Sequence, residues 1–300
     1  MTAQRILVVG YLSVDTVTDT LGNASCQPGG AALYAALGAR RAGAAVDIAA
    51  SVGEDYPAAW LAALDADGIG LTDLDRKTIR SRWATIRHHT DGRRQSLHYD
   101  DPAWWRSSEA HAPRWPADLS PYGRIVACPM PIEKLQALVG AAKRAAIPVV
   151  ADTNEAFAKT DGPAILDLLP DLEIFAPSRE ETRLLCPGLD DGDAARFLAA
   201  RGTNIVQKRG ADGALVVAAG GADAWHAPAN TARVVDPTGA GDATVGALAA
   251  GRLTGEGLRA CVDAALAVGA IAVSGQGPNA LCPAFHDIAP IGAANGACRR

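Results

Sequence analysis

The six cysteines of this chain, at positions 26, 128, 186, 261, 282 and 298, form no Cys-x-x-Cys pair, and no histidine stands at metal-ligand spacing from them. That pattern is not one of a zinc ribbon. The thiols are expected to be reduced and mostly buried, in a cytoplasmic protein. Also missing is any apolar run of about 18 residues free of breakers, so neither a spanning helix nor a membrane partner is expected. Positive charge is not in excess either. A formal net charge of −5 leaves no overall electrostatic footprint for nucleic acid. No G-x-x-x-x-G-K-[S/T] loop and no protein-kinase loop set is present, so a nucleotide site would be of another kind. The first apolar run is followed by Gly10-Tyr-Leu-Ser-Val-Asp15 and not by G-x-G-x-x-G, which weighs against a dinucleotide oxidoreductase. The opening residues Met1 to Gly10 run into that strand without a signal-peptide pattern, in keeping with the cytoplasmic expectation.

What is present is an ordinary globular composition: 300 residues, 49% apolar and 20% charged. Short β-branched runs alternate with Ala- and Leu-rich helical stretches. Strands are expected at 6–9, 46–52, 125–128, 149–152, 173–176, 204–208 and 214–217, with an extended piece over 12–18. Helices are expected at 31–41, 56–66 and 131–145, after Pro177, from Asp242 and over 258–273. This alternation implies βαβ units and a mainly parallel sheet. Residues 82–89 and 94–99 flank Asp91-Gly92, a hairpin-turn signal. Seven of the 28 basic residues lie on or near these lines: Arg76, Lys77, Arg80, Arg82, Arg87, Arg93 and Arg94. Such a hairpin is either an edge kept soluble by charge or a lid carrying an arginine to an anionic group. Its edge could also pair two copies in a homodimer. The aromatic stretch Ala103-Trp-Trp-Arg106 with Arg114-Trp115-Pro116 reads as a connection packed on the lid or on a partner subunit. The Ala/Gly-rich tail from Ile288 reads as poorly ordered.

The chemistry concentrates in Val235-Asp-Pro-Thr-Gly-Ala-Gly-Asp-Ala-Thr-Val-Gly-Ala-Leu-Ala-Ala250. Asp236-Pro237 ends an extended segment, Gly239-Ala240-Gly241 is a bare loop, and Asp242 opens a small-residue helix. A glycine turn entering a helix leaves N–H groups without internal partners at the positive end of the dipole, which suits phosphate. A carboxylate among those donors is either an N-cap or an acceptor for the proton of an attacking hydroxyl.

The run Asp236-Pro-Thr-Gly-Ala-Gly-Asp242, followed by Gly246-Ala247-Leu248, resembles the C-terminal signature of the PfkB/ribokinase-like carbohydrate kinases. The resemblance extends in matching order over about residues 5–285. It implies a single ribokinase-like kinase domain over residues 1–300, a three-layer αβα fold with a central mainly parallel sheet. A small β-lid is implied near 12–24 and 80–100. The implied activity transfers the γ-phosphoryl group of ATP, with Mg²⁺, to an alcohol of a sugar, polyol or nucleoside. Asp242 would be the catalytic base, and Gly239, Ala240 and Gly241 the anion hole. Asp15 and the pair Gly29-Gly30 would bind substrate, with Tyr34 where the family usually has Asn. Asp152-Thr-Asn154 is similar to the family's D-x-N, with Ala156 in place of its basic residue. Glu181 would hold hydrated Mg²⁺, and Ser178 stands for the family's Asn. Ser178 and Glu181 also read as a capping box. Lys208, Gly210 and Gly213 would lie along the nucleotide, and Ser274 to Pro278 would flank the adenine. Asp236 would take a monovalent cation such as K⁺, or cap the Pro-Thr turn. A sensor of nucleotide or sugar without turnover on the same fold is the alternative.

Overall fold

The computed structural model describes residues 4–89, 94–98, 101–286 and 288. Strand β1 (Arg5–Val9) shows why the main sheet forms. Ile6 and Val8 enter one apolar cluster, Leu7 and Val9 the other, and all four are fully buried. Two covered faces demand the continuous apolar run seen in the sequence.

The chain continues through β2 (Ser13–Thr18), β3 (Ala24–Gly29), α1 (Ala31–Arg41), β4 (Val46–Val52) and α2 (Ala58–Ala66). Short β5 (Ile69–Gly70) and β6 (Leu74–Arg76) precede β7 (Trp83–His88), β8 (Arg94–Ser96) and α3 (Pro102–Glu109). Next come β9 (Tyr122–Ala127), α4 (Ile132–Arg144), β10 (Val149–Ala151), α5 (Glu155–Thr160), α6 (Gly162–Leu168) and β11 (Ile174–Phe175). The remainder is α7 (Arg179–Leu185), α8 (Asp191–Ala199), β12 (Asn204–Lys208), β13 (Ala214–Val217), β14 (Ala224–Ala227), α9 (Ala240–Leu253) and α10 (Leu258–Ala272).

The main sheet runs β14-β13-β12-β11-β10-β9-β1-β4-β5, with β6 also on β4. Its pairings are parallel from β12 to β5, and only β13 and β14 are antiparallel. Helices α1, α2, α9 and α10 contribute to the core on one face, and α4, α6 and α8 to that on the other. This is the three-layer fold expected from the alternation. Among the described residues no helix is long and apolar enough to cross a membrane.

A second sheet has the order β3-β2-β7-β8, with β2 and β7 parallel and both flanking pairs antiparallel. β7 and β8 are the expected hairpin. Its Asp91-Gly92 turn and Arg93 lie outside the described residues, as does most of the tail from Ile288. The aromatic stretch read as a connection is helix α3, capped by Asp101 through the N–H of Ala103. It packs against the second sheet, where Trp104 Nε1 donates to the carbonyl of Trp83 at 2.6 Å. Cys128, Cys186, Cys261 and Cys282 are free and buried. Cys26 departs from the expectation of reduced thiols, being disulfide-bonded.

Candidate active site

A cavity of about 540 Å³ opens where the parallel strands end and the second sheet overhangs. Open α/β sheets bind ligands at this end because loops there carry polar groups beyond the covered strands. Its wall includes Asp152 just past β10, Ser178 and Glu181 past β11, and Lys208 closing β12. From the second sheet come Ser13, Asp15, Arg82, Ala84 and Ile86, and from the start of α9 come Thr238, Gly239, Gly241 and Asp242.

The loop before α9 is shaped by Gly239, whose φ of 75° makes it a left-handed N-cap with no side-chain bond to the helix. A Cβ there would lie 2.1 Å from Cγ of Tyr34, so the Tyr34 ring packs directly on this glycine. Tyr34 therefore reaches the cavity as the support beneath the anion-binding loop, with a buried ring. The N–H groups of the first turn of α9 remain directed outward, and Asp242 stands among them in that turn.

Asp236 lies behind the loop and is almost wholly buried. Its Oδ1 accepts from Thr238 N at 2.8 Å and its Oδ2 from Gly277 N at 2.9 Å. The segment 274–278 thus fastens the motif from behind, and none of it is among the residues lining the cavity.

Lys208 brings a cation to the cavity wall near the start of α9. Its Nζ donates to Asp152 Oδ2 at 2.5 Å and lies 3.5 Å from where a Gly241 Cβ would stand. Burial works against its charge, but Asp152, Glu181 and Asp242 outweigh that and hold the ammonium above its ordinary pKa. Burial also raises the Asp152 carboxyl, against the pull of Lys208. Burial first, then the charge of Asp152, pushes Glu181 up to about 8. Glu181 also completes the expected capping box, accepting from Ser178 N at 2.6 Å while its own N–H donates to Ser178 Oγ at 3.1 Å. Cap and cavity wall are one residue.

Of the two glycines after Lys208, Gly210 lines the cavity. Gly213 does not; its φ of 80° serves the turn into β13, where a Cβ would meet the Ala227 carbonyl at 2.0 Å. At the start of α1, Gly30 has φ 97° and lets the Tyr11 carbonyl approach, while Gly29 makes room for the Asp15 carboxylate, 2.0 Å from where its Cβ would be. Asp15 Oδ1 accepts from Ala84 N at 3.1 Å.

Three residues of this wall were not singled out from sequence as a group. Arg82 stacks its guanidinium between Tyr11, at 4.7 Å, and Trp104, at 4.6 Å. Burial drives the Tyr11 phenol up to about 12, with Arg82 opposing and Glu109 adding to the rise. Among the basic residues of 76–94 with described side chains, Arg82 alone lines the cavity. Arg82 is marked in the sequence as one of the basic residues of the hairpin and Trp104 as one of the Trp-Trp pair, whereas Tyr11 carries no signal of its own.

A glycine turn into a helix, a carboxylate in its first turn, a lysine beside it and an overhanging sheet line one cavity. The model of the pfkB family of carbohydrate kinases matches residues 3–284. The chain belongs to that family. It is 31% identical over 268 residues, 86% of this chain and 91% of the other, to a cytidine kinase of Thermococcus kodakarensis. The fold is similar to a nucleoside kinase of Burkholderia thailandensis in complex with inosine, with TM-score 0.78, 19% identity and coverage of 92% and 94% of the two chains. A ribokinase-II-like protein of E. coli in complex with ATP and Mg²⁺ aligns with TM-score 0.75, 21% identity and coverage of 92% and 94%. The protein is thus an ATP-dependent kinase phosphorylating an alcohol of a sugar or nucleoside.

Proposed function

We propose that the acceptor of this pfkB-family kinase is a ribonucleoside and that Asp242 is its catalytic base. The observation that carries the acceptor is the wall of Tyr11, Arg82 and Trp104, a stack of aromatic and guanidinium groups lining the same cavity as Asp15. Such a wall matches a flat base attached to a hydroxylated ring. The likeness to a cytidine kinase points the same way.

In this reading Asp15 binds ribose hydroxyls. Asp242 accepts the proton of the attacking hydroxyl, and the N–H groups of Gly239, Ala240 and Gly241 donate to the transferring phosphoryl oxygens. Lys208, held by Asp152, adds positive charge on the nucleotide side, and Ser178 and Gly210 line that side. Glu181 fits a hydrated Mg²⁺, because a buried carboxyl raised by burial and by Asp152 gains from a cation nearby. Mg²⁺ supplies charge neutralisation at the phosphates when bound. Among the described residues no group of three metal-ligating side chains forms a protein cage, in keeping with an ion delivered with the nucleotide. The second sheet is the lid of a single kinase domain. Exposed Leu21 and Leu97 on it support pairing of two copies, which light scattering would test. A cytoplasmic location belongs to the same reading, with four buried thiols free and Cys26 disulfide-bonded.

The test is an ADP-release assay with ATP and Mg²⁺ over nucleosides, ribose, fructose and polyols. A nucleoside should exceed every free sugar in kcat/KM by at least about 10-fold, the scale of a lost base contact. A free sugar as the best acceptor would overturn the nucleoside reading. Asp242→Asn should lower kcat by about 10²–10⁴-fold. It should leave ATP affinity and thermal stability in place, since Asn caps a helix about as well as Asp. Near-wild-type turnover in that variant would remove Asp242 as the base.

A further inference from the structure

His88 is the last residue of β7 in the lid, yet its imidazole reaches the loop before α9. Nε2 lies 3.2 Å from Thr238 Oγ1 and 3.5 Å from Asp236 Oδ1. The contact is sheltered, with the His88 side chain 14% exposed and that of Asp236 3%. Asp236 is the residue to which the family resemblance attaches a monovalent cation. Here its two oxygens already accept the N–H groups of Thr238 and Gly277. The remaining approach to Oδ1 is faced by a ring nitrogen that, as Nε2–H, donates to Thr238 and points its positive edge at the carboxylate. A buried carboxylate gains from positive charge beside it, and the N–H edge of an imidazole supplies some without an ion. Thr238 adjoins Gly239, so whatever holds Thr238 and Asp236 sets the angle of the anion hole.

Resting on the kinase reading, we propose that His88 does at Asp236 and Thr238 what a monovalent cation would otherwise do. It is a positioning residue: it fixes the Thr238–Gly239 loop from the lid and makes turnover independent of K⁺. Because it acts through the loop, its loss lowers kcat more than it raises KM for ATP or acceptor.

Wild type, His88→Leu and His88→Gln are compared in KCl and in choline chloride at equal ionic strength, with kinetics and thermal melting for each. Wild-type kcat should be the same within about 2-fold in both salts. His88→Leu in choline should lose on the order of 10²-fold in kcat, the scale of a misplacement of about 1 Å at a reacting centre. Both KM values should stay within about 3-fold, and KCl should restore part of kcat. His88→Gln, whose amide nitrogen can donate from a similar place, should keep most of its turnover. Melting gives a second readout that survives failure of the kinase reading. KCl should raise the Tm of His88→Leu by about 2 °C or more and leave wild type unmoved. A wild type that needs K⁺ for turnover or gains Tm from it overturns the proposal. So does a His88→Leu variant with wild-type kcat, or equal loss in Leu and Gln variants with both unstable, which marks a purely structural contact.

Discussion

Gly239 shows how one residue can carry both shape and chemistry. Its left-handed φ of 75° costs a non-glycine residue about 1–2 kcal/mol. The Tyr34 ring fills the space a Cβ would need, which adds an overpacking cost of about 1–3 kcal/mol. Gly239→Ala should therefore lower the stability of the ligand-free protein by about 2–5 kcal/mol in denaturant unfolding. Its residual kcat should fall more than its KM for ATP changes. Unchanged stability would mean that the loop relaxes freely and that Tyr34 does not brace it. At Glu181 the expected effect is one of pH. Its folded-state value of about 8 lies above the ordinary 4.5, chiefly through burial. Between those values the folded protein holds more protons than the unfolded one. The stability tied to this group is complete below about pH 4.5 and is lost as pH rises towards about 8. Glu181→Gln should flatten that decline, so the Tm difference from wild type should shift in the variant's favour from pH 5 to pH 8. A parallel pH profile in both proteins would locate the proton elsewhere.

At the scale of elements, α1 and α9 are brought together by glycines on facing surfaces. A Cβ at Gly246 would sit 1.8 Å from the Ala35 carbonyl, and one at Gly38 2.1 Å from that of Ala243. Small residues let the two helices approach, so α9 is held at the depth that presents Gly239 to Asp242 to the cavity. Gly246→Ala should cost about 1–3 kcal/mol or more, because backbone and not a flexible side chain must yield. Guanidinium unfolding would show it as a lower midpoint. The periodic elements were legible: α1, β4, β12 and β13 fall where their apolar patterns place them. Others were hidden for physical reasons. β3 carries Pro28 and Gly29, poor strand residues, and exists because β2 pairs with it at the edge of the lid. α3 announces itself only by Asp101-Pro102, an N-cap and a first-turn proline, while its tryptophans suggested a loop. In the site, the motif from Asp236 to Asp242 was readable because a glycine turn and a helix start are local. His88 was not readable, since its partners lie 150 residues away and depend on how the lid sits. Tyr34 lines the cavity, and its ring also packs on Gly239, a brace that no local pattern announces.

At the scale of the molecule, the lid is joined to the sheet end through α3. Trp104 bonds the Trp83 carbonyl and stacks on Arg82, and Trp105 meets Phe157 of α5 at 5.2 Å between ring centroids. α5 follows Asp152-Thr-Asn154, so the aromatic chain links the wall of Tyr11, Arg82 and Trp104 to the part of the cavity lined by Asp152, Thr153 and Asn154. An acceptor base resting on Arg82 would load this chain from within the cavity. Binding of nucleoside alone should then slow amide hydrogen exchange over Trp83 to His88, while ATP alone should do so less. Trp104→Phe keeps a ring beside Arg82 and removes the donor to Trp83. It should cost about 1 kcal/mol of stability for the lost bond. Acceptor KM should rise several-fold with kcat nearly held, because Trp104 shapes the wall from α3 and does not belong to the loop before α9. The exchange protection of β7 by nucleoside should shrink in step. Full protection in the variant, with KM unchanged, would show that the lid closes without α3. In that case the wall of Tyr11, Arg82 and Trp104 would be core packing and not a seat for a base.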